Sequence, residues 1–182
     1  MIKLTELKRM IKANNLNPCF YAEGLNNVIF NYKQQLTIIL KQIDQPKLFA
    51  YLQSTNYVSA DLKFTPYNLD MDLKNKFERI TANKLEHTQM LVDTGIQFHK
   101  KGKWKDEEKI LYKVFKTEKG LMKIKDEYLC ILNQDIKKGV MLKTNETQNM
   151  VFIYNNTFDI IGVCMGEKFE MSELTEYTQW GS

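Results

Sequence analysis

Several residue types are scarce in this chain of 182 residues, and each scarcity excludes something. The longest uninterrupted apolar runs, such as residues 128–132 and 150–154, span five positions. A membrane-spanning helix needs about 20, so the expectation is no membrane partner. The opening residues also lack the apolar stretch of an export signal, and the reading is of a protein that stays in the cytoplasm. Three cysteines, Cys19, Cys130 and Cys164, are odd in number and far apart. That pattern suits reduced thiols rather than a disulfide framework. The eight glycines are scattered, and no G-x-x-x-x-G-K-[ST] or G-x-G-x-x-G loop is present to cradle a phosphate. None of the four serines, Ser54, Ser59, Ser172 and Ser182, lies in a G-x-S-x-G elbow. No nucleotide or other cofactor is expected.

Arginine is rarer still: Arg9 and Arg79 are the two arginines among 26 basic residues. Lysine, asparagine, isoleucine, tyrosine and phenylalanine are plentiful, as in products of AT-rich genomes, which fits a low-GC bacterium, its phages or its plasmids. The arginine deficit also argues against bidentate readout of guanine or phosphate, which favours a planar guanidinium.

What is present suffices for a packed interior, with 43% apolar residues and 12% aromatics. The net charge of +4 is unevenly spread. Between residues 99 and 125 ten lysines stand against four acids, whereas residues 159–182 carry five acids and one lysine. One end of the chain is therefore acidic and its middle basic.

Apolar spacing predicts helices over residues 5–15, over 46–56 with Pro46 in the first turn, and from residue 68 or 70 to about 84. Residues 25–43 fit a helical stripe through Leu25, Val28, Ile29, Tyr32, Leu36, Ile39, Leu40 and Ile43. The β-branched clusters there also allow a hairpin across Lys33-Gln34, and the longer stripe favours helix. From residue 109 the pattern changes to short β-branched and aromatic runs, 109–116, 121–125, 128–132, 140–143, 150–154 and 158–165. Turn residues such as Thr117-Glu118-Lys119-Gly120 and Asn155-Asn156 separate them. Gly162 marks a bulge or a close backbone approach. The expectation is a single α+β domain. Its helical part, 1–87, packs on an antiparallel meander of five to six strands at 109–166. A joint lies at 88–108, and a C-terminal tail at 167–182 forms a short amphipathic helix.

Three constellations bear on chemistry. His87, Asp93 and His99 are spaced for a metal or a general base, but match no H-E-x-x-H pattern. Asp93 with Glu107-Glu108-Lys109 resembles the acid and acid-x-lysine arrangement of metal-dependent nucleases, a triplet that arises by chance in a chain so rich in both charges. Neither is read as a metal site. The basic strip has more character: Lys100, Lys101, Lys103, Trp104 and Lys105, followed by Tyr112, Lys113 and Lys116. Lysines there neutralise phosphate while an aromatic stacks on a base, or the same residues anchor a protein interface.

These readings point to a non-enzymatic binding or inhibitory accessory protein of a phage or mobile element. Its expected partner is a protein, a host factor such as a defence nuclease, in an anti-CRISPR-like role. A nucleic-acid binder using residues 99–125 is the alternative, and a metal-dependent nuclease the third.

Overall fold

The computed structural model describes residues 2–13, 19–23, 27–33, 35–41, 46–55, 89–100, 110–132, 141–144, 150–155 and 160–174. Strands dominate these residues. The three described helices are α1 (Leu4–Ala13), α2 (Pro46–Ser54) and the single turn α3 (Asp126–Leu129). The strands are β1 (Cys19–Glu23), β2 (Asn27–Tyr32), β3 (Leu36–Lys41), β4 (Gln89–Met90), β5 (Val92–Lys100), β6 (Ile110–Thr117), β7 (Gly120–Lys125), β8 (Met141–Thr144), β9 (Met150–Tyr154), β10 (Ile160–Met165) and β11 (Glu167–Phe169).

Among the described residues, the strands pair antiparallel in two sheets. The large sheet has the order β1-β2-β3-β10-β9-β8-β4, and the small sheet β11-β7-β6-β5. This overturns the expected helical N-terminal half packed on a C-terminal meander. Strands β1, β2 and β3 extend the large sheet from the N-terminal side, and the C-terminal strands divide between both sheets. The physical reason lies in residues 27–41. Among the described side chains there, Phe30, Tyr32, Leu36, Ile38 and Leu40 are buried, and β3 alternates buried and half-buried positions with period two. The helical stripe had chosen Ile39 where the fold buries Ile38. The hairpin forms as Lys33 takes a positive φ of 50°.

Two further expectations are corrected. The apolar run 128–132 is not a strand: Asp126 and Glu127 open the turn of α3, and the Cys130 amide donates to the Asp126 carbonyl at 2.8 Å. An uninterrupted apolar run cannot be told from a buried helical turn by period alone. The start of the expected tail helix is instead strand β11, paired Glu167↔Lys123 and Phe169↔Leu121 with β7. The expected helix over 70–84 and residues 175–182 lie outside the described residues.

Two stretches of chain serve both sheets. Residues 89–100 pair with β8 through β4, then with β6 through β5, changing partner at Leu91, whose amide donates to the Leu142 carbonyl at 2.9 Å. Residues 160–169 pair with β3 and β9 through β10, then with β7 through β11, turning at Gly166. A Cβ on Gly166 would lie 2.5 Å from Met122 Sδ and 3.2 Å from Val151 Cγ2, so a side chain at this corner would have to displace the Met122 side chain. The pairing then runs β9, β10–β11, β7, β6, β5–β4, β8 and back to β9, a closed circuit. Strands that change sheets are how packed sheets make corners, and closure hides edges.

The main core lies between the sheets and beneath the helices. Leu36, Ile38, Val151 and Ile153 meet Phe115, Met122 and Ile124 there, with Leu7, Met10 and Ile11 of α1 and Leu48, Phe49 and Leu52 of α2. Gly162 carries the β-bulge between Ile160 and Gly162, and a Cβ on it would lie 2.9 Å from the Thr37 carbonyl oxygen. Both readings of that glycine, bulge and close approach, hold.

Candidate functional site

The small sheet buries side chains on both faces. Met122, Ile124 and Phe115 enter the main core, while the opposite face carries a second apolar cluster of Phe98, Tyr112, Val114 and Phe169. Cross-strand register places its neighbours, because directly opposed residues of an antiparallel pair share a face. Val92, Lys116 and Leu121 are opposed in one row, Phe98 and Tyr112 in another, Val114, Lys123 and Glu167 in a third, and Lys100 faces Ile110. Lysines 100, 116 and 123 therefore surround an aromatic cluster on one sheet face.

The basic strip is split by this register. Lys100, Tyr112 and Lys116 come to the outer face together. Lys113 belongs to the inner face, where its Nζ lies 2.9 Å from Asp126 Oδ1 at the start of α3. Lys101, Lys103, Trp104 and Lys105 lie outside the described residues. Tyr112 is buried: its ring stacks on Phe98 at 5.6 Å between centroids, and its hydroxyl donates to Glu167 Oε1 at 3.4 Å. Phe98 in turn stacks on Phe169 at 5.3 Å. The aromatic rings thus serve the interior of this face, and its exposed parts are Lys116, Glu167, Val92 at 60% and Ile110 at 36% exposure.

Lys123 is the residue sequence reading missed. It reads as one lysine among ten in the basic stretch, yet its side chain is 6% exposed. Its ammonium lies 2.6 Å from Glu173 Oε2 and 3.6 Å from Glu167 Oε2, with the rings of Tyr112 and Phe169 beneath it at 5.7 and 5.9 Å. The remaining oxygen of Glu173 accepts from the Glu170 amide at 3.0 Å. Burial raises the Glu173 carboxyl, but the hydrogen bonds from Lys123 and the Glu170 amide outweigh it, and the group titrates below its ordinary value. Only the pairing with β11 reveals it: Leu121 and Lys123 share a face that Phe169 and Glu167 oppose.

The other polar residues have structural settings. Asp93 accepts from the Gly95 amide at 2.8 Å, and Gly95 has a φ of 75° in the irregular stretch of β5 between Asp93 and Gln97. Thr94 donates to the Val114 carbonyl at 2.7 Å and accepts from the Ile96 amide. Asp93 and His99 lie on one strand; His87, Glu107, Glu108 and Lys109 are outside the described residues. Among the described residues, no three His, Cys, Asp or Glu side chains gather as metal ligands. The Cys130 thiol donates to Asp126 Oδ2 at 2.9 Å, and burial with the adjacent carboxylate pushes it up to about 11. Burial pushes Cys164 up to about 12. Both stay protonated near neutral pH, the opposite of an activated nucleophile.

A second polar knot fixes the β2–β3 turn. Tyr128 donates to Gln35 Oε1, which also accepts from Lys125 Nζ at 3.1 Å. Tyr32 donates to Glu127 Oε2 at 3.2 Å, and Lys33 pairs with the same oxygen at 3.7 Å. These bonds hold the turn against α3. No helix among the described residues is long and apolar enough to cross a membrane. Comparison with family models, with curated proteins and with solved structures finds no match for this chain.

Proposed function

We propose that this chain is a non-catalytic binding protein that captures and inhibits a larger protein partner. The partner is a host factor such as a defence nuclease, met in the cytoplasm of an AT-rich bacterium that carries a phage or mobile element. The supporting observation is the rim of the small sheet. There the exposed apolar side chains of Val92 and Ile110 stand opposite Lys116 and Lys100 in cross-strand register. Apolar area bordered by long cationic side chains is the composition of an interface, with the apolar atoms supplying burial and the lysines steering an acidic partner.

Capture from a lysate of the native host tests this reading, with the lysate divided between nuclease-treated and untreated arms. The wild-type chain is expected to retain one protein in both arms. The Lys100→Glu, Lys116→Glu double variant is expected to lose it, and the purified partner's activity to fall when the wild-type chain is added. Equal retention by the double variant would overturn the assignment of this rim.

A nucleic-acid reading draws on the same lysines. Retention confined to the untreated arm, with affinity falling steeply as salt rises, would replace the protein-binding reading with that one.

A further inference from the structure

We infer that the outer face of the small sheet is a peptide-recognition site for an acidic residue followed by a large aliphatic one, held closed by the chain's own Glu173 and Leu174. The inference rests on the protein-binding reading and names what the site recognises.

The occupant is the argument. Residues 170–174 fold back over the face as one helical turn, in which the Glu173 amide donates to the Glu170 carbonyl at 2.9 Å and the Leu174 amide to the Met171 carbonyl at 3.1 Å. The turn presents two adjacent side chains to the face. Leu174 packs on the Phe98, Tyr112, Val114 and Phe169 cluster, and the Glu173 carboxylate meets the buried Lys123 ammonium at 2.6 Å. A cation held over two aromatic rings, next to apolar side chains, is what selects a carboxylate joined to an aliphatic group.

The hold is also built to be released. Met171 is 51% exposed, and Glu173 and Leu174 are only partly buried, in contrast to the face they cover. Lys123 keeps Glu167 as a counter-ion at 3.6 Å when Glu173 leaves, so opening does not strand an unpaired buried charge. Departure of the turn therefore uncovers the aromatic cluster beside a lysine that still has a counter-ion. A tethered segment acts at millimolar effective concentration, so a partner must bind better than the free segment would.

The test uses the full chain. The probe is a fluorescein-labelled peptide with the sequence of residues 170–176, and a control peptide carries lysine in place of its Glu173. Fluorescence anisotropy is read on the wild type and on the Glu173→Gln, Leu174→Ala variant, whose changes fall on partly exposed side chains. The variant is expected to bind the probe about tenfold or more tighter than the wild type, because the closed fraction no longer reduces the apparent affinity. The control peptide is expected to bind neither. Adding Lys123→Gln should remove probe binding with an unchanged circular dichroism spectrum. If that variant unfolds, the control peptide alone decides.

Equal probe affinity in the wild type and the loosened variant, or equal binding of probe and control, would overturn the inference. So would preferential binding of a labelled single-stranded oligonucleotide by the loosened variant, which would make the face a nucleic-acid platform. A concentration-dependent wild-type dimer that vanishes in the loosened variant would also overturn it, since the occupant would then be a second copy. Loss of the probe result with intact lysate capture through Lys100 and Lys116 would remove this inference and leave the proposed function standing.

Discussion

Single atoms decide several features of this protein. Gly162 approaches the Thr37 backbone so closely that alanine must push a carbonyl oxygen, and a neighbouring strand yields little. Gly162→Ala is expected to cost roughly 1–3 kcal/mol, the usual range for overpacking, read as a lowered urea midpoint. A midpoint equal to the wild type would mean that β3 moves freely against β10. Cys164, fully buried with its thiol pushed up to about 12, should resist a thiol reagent at pH 8 until the protein is unfolded. Peptide mapping after labelling of native protein reads this directly, and rapid modification of Cys164 would contradict its placement. The Asp126 carboxyl titrates below its ordinary value of 3.8: burial opposes this, but the Cys130 thiol and the Lys113 ammonium prevail. A depressed folded value means stability that is present above 3.8 and lost as pH falls through the folded value. Asp126→Asn should therefore flatten the acid limb of the stability–pH curve, checked by thermal melts from pH 2 to 7.

At the scale of elements, the contest between periods governs residues 25–43. A helical stripe would bury Ile39 and expose Ile38, whereas the strand buries Ile38 completely and Ile39 only partly. Ile38→Ala should cost about 2–5 kcal/mol and Ile39→Ala clearly less, measured by denaturant unfolding. The reverse order would restore the helix. Much of the rest was legible. Helices α1 and α2 fall where apolar spacing and Pro46 put them, and β6, β7, β9 and β10 match runs read from β-branched and aromatic residues. What was not legible is long-range pairing. The runs do not state which sheet each strand joins, and a strand buried on both faces, such as β7, shows no alternation to read. The candidate site suffered for the same reason. Lys100, Tyr112 and Lys116 were found as a linear strip, but register separates Lys113 from them and adds Lys123.

For the whole molecule, the two sheets share one core and two stretches of chain, so neither sheet holds its register without the other. Damage at the Gly166 corner should therefore be felt in both. Gly166→Val, which crowds Met122 and Val151, is expected to lower amide protection in β7 and in β9 together, read by hydrogen exchange with mass spectrometry. Loss confined to one sheet would show that they open separately.

Residues 160–169 also have a bearing on folding. They are the shared neighbour of β3, β9 and β7, and they follow all three in the chain. Until they pair, each of those strands keeps one open row of amides and carbonyls. A chain truncated just before Ile160 would thus carry three adhesive edges at once. Shielding those edges until the last shared strand pairs is the demand that this topology places on folding.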